Sequence, residues 1–323
     1  MKKIFILFFA IGQLYACNPS AKPSKVEQKP LSIPSFSADS AYKYVQQQVD
    51  FGPRVPNTAA QLACAAYLSS TLKRFGAEVV EQNVTVTAFD GTVLRNINII
   101  GSYNAKAETR VLLFAHWDSR PWADNDPNPA NHEKPVMGAN DGASGVGVLL
   151  ELARQFNSQL PTVGVDIVFV DTEDYGSIEN SPTSGDTWCL GTQYWAKNPH
   201  VPGYRAKYGI LLDMVGAKQA TFMREQISDY YAMDVVNKVW SQAKSLGFEQ
   251  YFVNQKGGAI TDDHVVVNQI MGIPSIDIIQ YDTKSGTGFG SYWHTVDDTM
   301  ENIDKNTLNA VGVTLLHVVY GEK

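Results

Sequence analysis

The chain has 323 residues and a net charge of −7, with 44% hydrophobic and 18% charged residues. This ordinary globular composition excludes collagen-like, coiled-coil and disordered chains, and the net negative charge argues against a nucleic-acid-binding protein. Three Cys residues are too few for a disulfide scaffold, so a packed core must provide the stability.

The amino-terminal region has the pattern of an export signal followed by a tether. Residues 1–16 combine two lysines with a short apolar run, which is typical of a signal peptide. Cys17 follows Ala16 as in a bacterial lipobox, which predicts a lipidated Cys17; cleavage after Ala16 without a lipid is the alternative. Residues 17–37 are rich in Pro, Ser and Lys and predict a flexible tether. We therefore expect an exported, periplasmic lipoprotein anchored in the outer membrane of a Gram-negative bacterium.

The folded region begins with two predicted helices, over residues 37–49 and 58–75. In the second helix, apolar side chains recur at three- and four-residue spacings, so one face should be buried. We expect Asn57 to cap this helix and Gly76 to end it. Alternating patterns around an Asp-Gly turn then predict two strands, over residues 78–89 and 92–101.

Short apolar strands alternate with helices along the rest of the chain. The predicted strands cover residues 110–115, 165–170, 208–212 and 274–279. The predicted helices cover residues 143–156, 228–246, 263–271 and 305–320. Strands that are apolar on both faces predict a mixed, largely parallel, twisted sheet with helices on both sides. Because no repeat or linker interrupts this pattern, we expect residues 38–323 to form one α/β catalytic domain.

Polar clusters follow these strands or precede a helix. Taken singly, each has an ordinary explanation, since an Asp before a helix is often an N-cap and an acidic pair after a strand is often a solvated loop. Carboxyl ends of parallel strands meet at one edge of a sheet, however, so the clusters should converge. Imidazole and carboxylate groups together are typical zinc ligands, and the pattern therefore predicts a metal site. The clusters contain His116 and Asp118, Asp141, Glu173 and Asp174, Asp213, and Trp293 and His294.

The ordered motifs resemble the zinc aminopeptidase-like fold and, within it, the zinc-dependent glutaminyl-peptide cyclotransferases of animals and bacteria. The resemblance covers roughly residues 38–320. It implies an enzyme that converts the N-terminal glutamine of peptides and proteins to pyroglutamate and releases ammonia. The motifs that carry it are His116-x-Asp118, Gly138-Ala-Asn-Asp141-Gly, Asp171-Thr-Glu173-Asp174, Leu211-Leu-Asp213-Met-Val-Gly-Ala217, Gly257-Gly-Ala-Ile-Thr-Asp262-Asp263-His264 and Trp293-His294-Thr-Val-Asp-Asp298.

The resemblance also implies a metal site with one zinc ion per chain. Its ligands would be Asp141, Asp174 and His294. The family has Glu where this chain has Asp174, and the shorter side chain requires a shift of the backbone or of the ion. The catalytic general acid and base would be Glu173.

Further residues are implied by the same resemblance. Asp213 and Asp262 would share the proton network of the catalytic acid. Trp293 and Trp188 would line the substrate pocket. The glycine-containing loop over residues 285–291 could form another wall of that pocket or a simple surface turn.

Two other functions stay open at this stage. A two-zinc aminopeptidase would use His116, Asp141 and Asp213 for a second metal, and all three are present. A non-catalytic lipoprotein that binds peptides would not need Glu173. The expected partners are peptides and proteins with N-terminal Gln, with no nucleic acid, and with a membrane only through the lipid. The sequence leaves the oligomeric state open, as it does a disulfide between Cys64 and Cys189.

Overall fold

The computed structural model of the protein describes Met1, residues 33–178 and residues 184–323. Residues 33–323 form one compact unit. The predicted signal peptide, Cys17 and most of the predicted tether lie outside the described residues. In the described part of the chain, we find no helix with the length and apolar character needed to cross a membrane.

A six-stranded mixed sheet forms the centre of this unit, in the order β1-β2-β4-β3-β5-β8. The strands β4, β3, β5 and β8 are mutually parallel, whereas β1 and β2 are added to one side in antiparallel pairings. The predicted fold, a single α/β domain with a largely parallel sheet, is confirmed. The strands are β1 (Glu78–Thr87), β2 (Val93–Tyr103), β3 (Arg110–His116), β4 (Gly164–Val170), β5 (Gly209–Asp213), β6 (Phe222–Arg224), β7 (Phe252–Lys256) and β8 (Ser275–Ile279).

Helices cover both faces of the sheet, as the apolar strands required. Along β3, Leu113 and Ala115 belong to one hydrophobic cluster, and Leu112 and Phe114 to another on the opposite face. This alternation explains why a strand buried on both sides reads as a continuous apolar run. The α-helices among the described residues are α1 (Ala38–Val49), α2 (Ala59–Arg74), α3 (Ala143–Ser158), α4 (Leu190–Lys197), α5 (Gln226–Ser245), α6 (Asp263–Val266) and α7 (Lys305–Tyr320).

The prediction that Asn57 caps α2 is wrong. Thr58 is the cap, and its hydroxyl accepts a hydrogen bond from the Gln61 amide at 3.2 Å. Asn57 has a left-handed backbone with φ of 72°, and its side-chain oxygen accepts the Arg95 amide at 2.7 Å. Asn57 therefore fastens the start of α2 to β2 instead of capping the helix.

Several elements differ from the sequence-based expectations. β6 and β7 form a separate two-stranded sheet that the periodicity did not predict. Residues 263–271 are not one regular helix, because α6 continues into a π-helix over Val267–Met271. α4 was also missed, because it is short and follows a loop with no clear apolar period.

Close contact between α3 and the sheet brings the start of this helix to the carboxyl ends of the strands. Gly142 has φ of 96°, and a Cβ at this position would lie 2.4 Å from the carbonyl oxygen of Asp118. A Cβ on Gly145 would lie 2.2 Å from the carbonyl oxygen of Leu212. Only glycine permits this approach.

A buried ion pair fastens the opposite end of the sheet. Asp166, at 1% exposure inside the otherwise apolar β4, accepts two hydrogen bonds of 2.7 Å from the Arg110 guanidinium. It also accepts the hydroxyls of Ser102 at 2.6 Å and Tyr204 at 2.8 Å. One carboxylate thus joins β2, β3 and β4 to the chain that leads into β5.

We expect Asp166→Asn to lower the free energy of unfolding by about 3 kcal/mol, because it leaves a largely buried guanidinium without its charge partner. Urea denaturation measures this change. As a control, Asp39→Asn breaks the exposed pair with Lys305 and should leave the unfolding curve unchanged. Equal midpoints for the two variants would contradict the importance of the Asp166 cluster.

Candidate active site

The parallel strands end in polar side chains at one edge of the sheet, as predicted. His116 is the last residue of β3 and Asp213 the last residue of β5. Glu173 and Asp174 follow β4 after a short turn. Asp141 reaches the same edge from the loop before α3, where Gly142 and not Asp141 is the helix cap.

The structure brings the three predicted metal ligands together. The Nε2 atom of His294 lies 3.2 Å from Oδ1 of Asp174 and 3.5 Å from Oδ2 of Asp141. One ligand atom from each side chain lies within 4.8 Å of the others. All three residues are buried.

This donor set fits a divalent cation such as zinc. Tetrahedral zinc with bonds of about 2.0–2.1 Å requires ligand atoms about 3.3 Å apart, close to the separations observed here. Oδ1 of Asp174 is buried and makes no hydrogen bond of normal geometry, although Nε2 of His294 lies 3.2 Å away. Burial, together with the neighbouring carboxylate of Asp141, raises the pKa of Asp174 to about 6. A cation between these groups would remove that cost, since buried like charges are otherwise unfavourable.

A second donor set shares Asp141. The Nε2 atom of His116 lies 3.0 Å from Oδ1 of Asp141 and 3.2 Å from Oδ1 of Asp213. The two oxygens of Asp141 are therefore divided between the two histidines. This arrangement would also allow a second metal beside the first, as in the two-zinc alternative.

Glu173 lies beside both donor sets in an acidic environment. Burial raises its pKa well above the ordinary value, and the nearby carboxylates of Asp262, Asp174 and Asp263 raise it further, against the opposing effect of His116. The thiol of Cys189 lies 3.4 Å from Oε1 of Glu173 as a hydrogen-bond donor. Cys189 and Cys64 are both free thiols, so no disulfide joins them.

The other two predicted acids are also part of this edge. Asp262 caps α6, accepts the Asp263 amide at 2.6 Å, and approaches Glu173 and Cys189 to within 4.8 Å between possible ligand atoms. Burial, followed by the charge of Asp213, raises the pKa of Asp262. Burial is also the main cause of the raised pKa of Asp213. Burial therefore makes ionisation of both acids more costly than it is in water.

Two further aspartates, to which the sequence analysis gave no individual role, hold the backbone of the site. Asp118 accepts the amides of Glu173 at 3.1 Å and Asp174 at 3.2 Å. Asp298 accepts the amides of Asn140 at 2.8 Å and Asp141 at 3.0 Å. Both aspartates lie within the quoted motifs, but a sequence motif does not distinguish a side chain that binds backbone amides from one that binds a ligand.

Aromatic side chains line a cavity of about 410 Å³ above the predicted metal ligands. The ring of Trp293 stacks on His294 at 3.7 Å between centroids, and Phe289 packs on Trp293 at 4.7 Å. The ring of Trp188 lies parallel to His294 at 6.1 Å and also faces the cavity. Thr287 and Phe289 line the cavity as well, so the loop over residues 285–291 is a pocket wall.

Strained backbone is concentrated around these groups. Four non-glycine residues next to or within the site have left-handed φ values: Thr172, Cys189, Met214 and His294, at 53°, 56°, 47° and 54°. Such conformations cost of order 1–3 kcal/mol each and persist only where the surrounding structure enforces them. Favourable interactions elsewhere in the fold therefore offset the strain that orients the residues at this edge of the sheet.

Comparison with known proteins identifies the relatives of this chain. Residues 98–319 match the peptidase family M28. A structure described as a zinc-dependent exopeptidase from Parabacteroides distasonis is 59% identical with a TM-score of 0.88, and the alignment covers 90% of this chain and 100% of that one. The glutaminyl cyclase of Bacteroides thetaiotaomicron bound to N-acetylhistamine is 53% identical, with the same TM-score and coverage.

A curated relative is more distant but has the same activity in its name. The glutaminyl-peptide cyclotransferase of Bos taurus is 26% identical over 286 residues, which cover 79% of this chain and 74% of that protein. These matches confirm the resemblance inferred from the motifs. The names of the solved relatives nevertheless include both a cyclase and an exopeptidase.

We expect Asp298→Asn to weaken binding of added Zn²⁺ by about tenfold or more, since groups that orient metal ligands typically have effects of this size. An amide nitrogen would face one of the two backbone amides, and the Asp141 segment would shift. Competition with a chromogenic chelator measures the affinity. Asp297→Asn changes an exposed neighbour and should bind Zn²⁺ like the unaltered protein; equal affinities for the two variants would contradict the role of Asp298.

Proposed function

This chain belongs to peptidase family M28, and we propose that it is a zinc-dependent glutaminyl-peptide cyclotransferase. Its substrates would be peptides and proteins with N-terminal glutamine. The free amine attacks the carbon of the side-chain amide, a five-membered lactam closes, and ammonia leaves. The observation that carries this proposal is the buried Glu173, which lies beside the metal ligands under a pocket walled by tryptophans.

One zinc ion per chain would be held by Asp141, Asp174 and His294. When bound, it would supply Lewis acidity to the carbonyl of the substrate amide, where negative charge develops during attack. Two of these ligands are held before the ion arrives, because the carboxylates of Asp118 and Asp298 accept the backbone amides of Asp174 and Asp141. This preorganisation favours binding without a large rearrangement.

Glu173 would carry the proton. As a base it takes a proton from the attacking amine, and as an acid it gives a proton to the departing amide nitrogen. Burial and nearby acids raise its pKa, which suits a group that must both accept and donate near neutral pH. Asp262 and Asp213 would help to keep the pKa of Glu173 raised, because they place further acidic groups close to it.

The pocket would fix the geometry of attack. Both reacting groups belong to one residue, so the enzyme gains most by holding a single near-attack conformation. Trp293, Trp188 and Phe289 would surround the glutamine side chain and exclude water, which would otherwise compete with the amine. The cavity of about 410 Å³ suits one terminal residue rather than a long peptide segment.

A two-zinc aminopeptidase is the second candidate function. It is favoured by one observation, the division of the Asp141 oxygens between His294 and His116. We favour the cyclase because Asp262 and Trp293 have no obvious role in peptide hydrolysis. A hydrolase must also admit the water that this pocket would exclude.

We expect the purified, zinc-loaded protein to release ammonia from Gln-initiated peptides and to leave Leu- and Ala-anilides intact. Glu173→Gln should lower kcat by about 10²–10⁴-fold, the usual contribution of general acid–base catalysis, while zinc stays bound. A coupled ammonia assay and mass spectrometry of the product measure both results.

Glu249→Gln, an exposed change elsewhere, is the matched control and should keep full activity. Hydrolysis of the anilides with two zinc ions per chain would instead establish the aminopeptidase. A peptide-binding protein without catalysis would show neither product, and Glu173→Gln would then have no activity to remove.

For localisation, we infer that residues 1–16 direct export and that Cys17 carries a lipid. The inference is supported by the apolar run and by Cys17 directly after Ala16. Expressed in a Gram-negative bacterium with labelled palmitate, the full chain should incorporate the label, and Cys17→Ala should be exported without it. An unlabelled but exported full chain would favour cleavage without a lipid.

A further inference from the structure

A buried arginine with no role in the proposed chemistry lies behind the metal ligands. Arg120 is 1% exposed, in the loop between β3 and α3. Its Nε and Nη2 atoms donate to the two oxygens of Asp124 at 2.9 and 2.5 Å. Its Nη1 atom donates to the backbone carbonyls of Asp174 at 3.0 Å and Gly176 at 3.2 Å. One guanidinium thus binds the loop of one metal ligand directly.

The partner of this arginine faces another ligand. Oδ1 of Asp124 lies 3.5 Å from Nδ1 of His294, on the side of the ring opposite the metal-facing Nε2. That Nδ1 atom is buried and makes no hydrogen bond within normal limits. Asp124 is therefore a charged group placed to accept a hydrogen bond from Nδ1 of His294.

The residues after Asp124 hold the backbone of the same loop. The amide of Asn125 donates to the carbonyl of His294 at 3.1 Å. The side chain of Asp126 accepts the amide of Val296 at 3.1 Å. These contacts explain how His294 keeps its left-handed backbone, with φ of 54°. They also set the distance between its ring and Asp124.

The same guanidinium supports the aromatic wall. Its central carbon lies 4.8 Å from the ring centroid of Trp188 and 5.5 Å from that of Trp122. Arg120 therefore contacts the loop of Asp174, the partner of His294 and a wall of the cavity at once. A lysine could not make all these contacts, because it lacks the planar fork.

We propose that Asp124 is a positioning residue that accepts the Nδ1 proton of His294, and that Arg120 fixes Asp124 in place for this purpose. A histidine that donates its second ring N–H to a carboxylate keeps one tautomer and one orientation and becomes a stronger metal ligand. The inference rests on the proposed metal site, but it holds for either the cyclase or the aminopeptidase.

The test is the affinity of the full-length protein for Zn²⁺, measured by competition with a chelator. Asp124→Asn should weaken binding about 10–100-fold, and Arg120→Lys should also weaken it. The increase in Tm on adding zinc to the chelator-treated protein should shrink in the same variants. A purely structural role would lower the Tm with and without zinc alike.

Asp166→Asn is the matched control, because it breaks the equivalent arginine fork at the other end of β4. It should destabilise the protein with and without zinc but leave the zinc affinity unchanged. Zinc affinities of Asp124→Asn and Arg120→Lys within twofold of the unaltered protein would overturn the inference. If Asp124→Asn does not fold, the zinc affinity of Arg120→Lys decides. An unaltered protein that binds no zinc would instead refute the proposed function itself.

Discussion

The concentration of buried carboxylates at one edge of the sheet is the constraint on which the site depends. Asp141, Glu173, Asp174, Asp213 and Asp262 are all less than 10% exposed and lie close together. Buried like charges are costly unless protons, cations or hydrogen-bond donors compensate them. The raised pKa values of four of the five express this cost directly, whereas contact with His116 lowers that of Asp141 against the effect of burial.

The fold compensates the negative charge of these acids with different kinds of hydrogen-bond donor. Backbone amides satisfy the supporting aspartates, Asp118 and Asp298. Arg120 and the two histidines provide positive or neutral donors close to the ligands. Buried carboxylate oxygens that make no hydrogen bond, on Asp174, Asp262 and Asp263, lie around the donor set and the proposed acid. Structure, charge and proposed chemistry therefore share one origin, since the same buried acids would bind the cation and carry the proton.

Much of the framework could be predicted from the sequence. The boundaries of α7 agree with the pattern, because a long amphipathic segment follows a clear capping residue, Asp304. The parallel strands were recognisable because burial on both faces demands unbroken apolar runs. Asp166 shows the limit of this rule, since a charge within such a run is acceptable only with partners from distant segments, Arg110 and Tyr204.

The site residues that lie in short motifs at the ends of strands could be predicted from the sequence. The residues in loops that hold those side chains in place could not. His116 and Asp213 follow from the parallel sheet, and Asp141 from the loop before a predicted helix. Arg120 and Asp124 lie in a loop without periodicity, so nothing local marks their contact with the His294 loop, far along the chain. The strained φ of His294 is likewise set by tertiary contacts, not by its own preference.

Anomalous diffraction at the zinc edge, on crystals of the zinc-loaded protein, tests the central claim most directly. We expect one strong peak per chain, about 2.0–2.2 Å from oxygens of Asp141 and Asp174 and from Nε2 of His294. A second peak of similar strength between His116 and Asp213, or a zinc ion that does not touch one of the three proposed ligands, would contradict it.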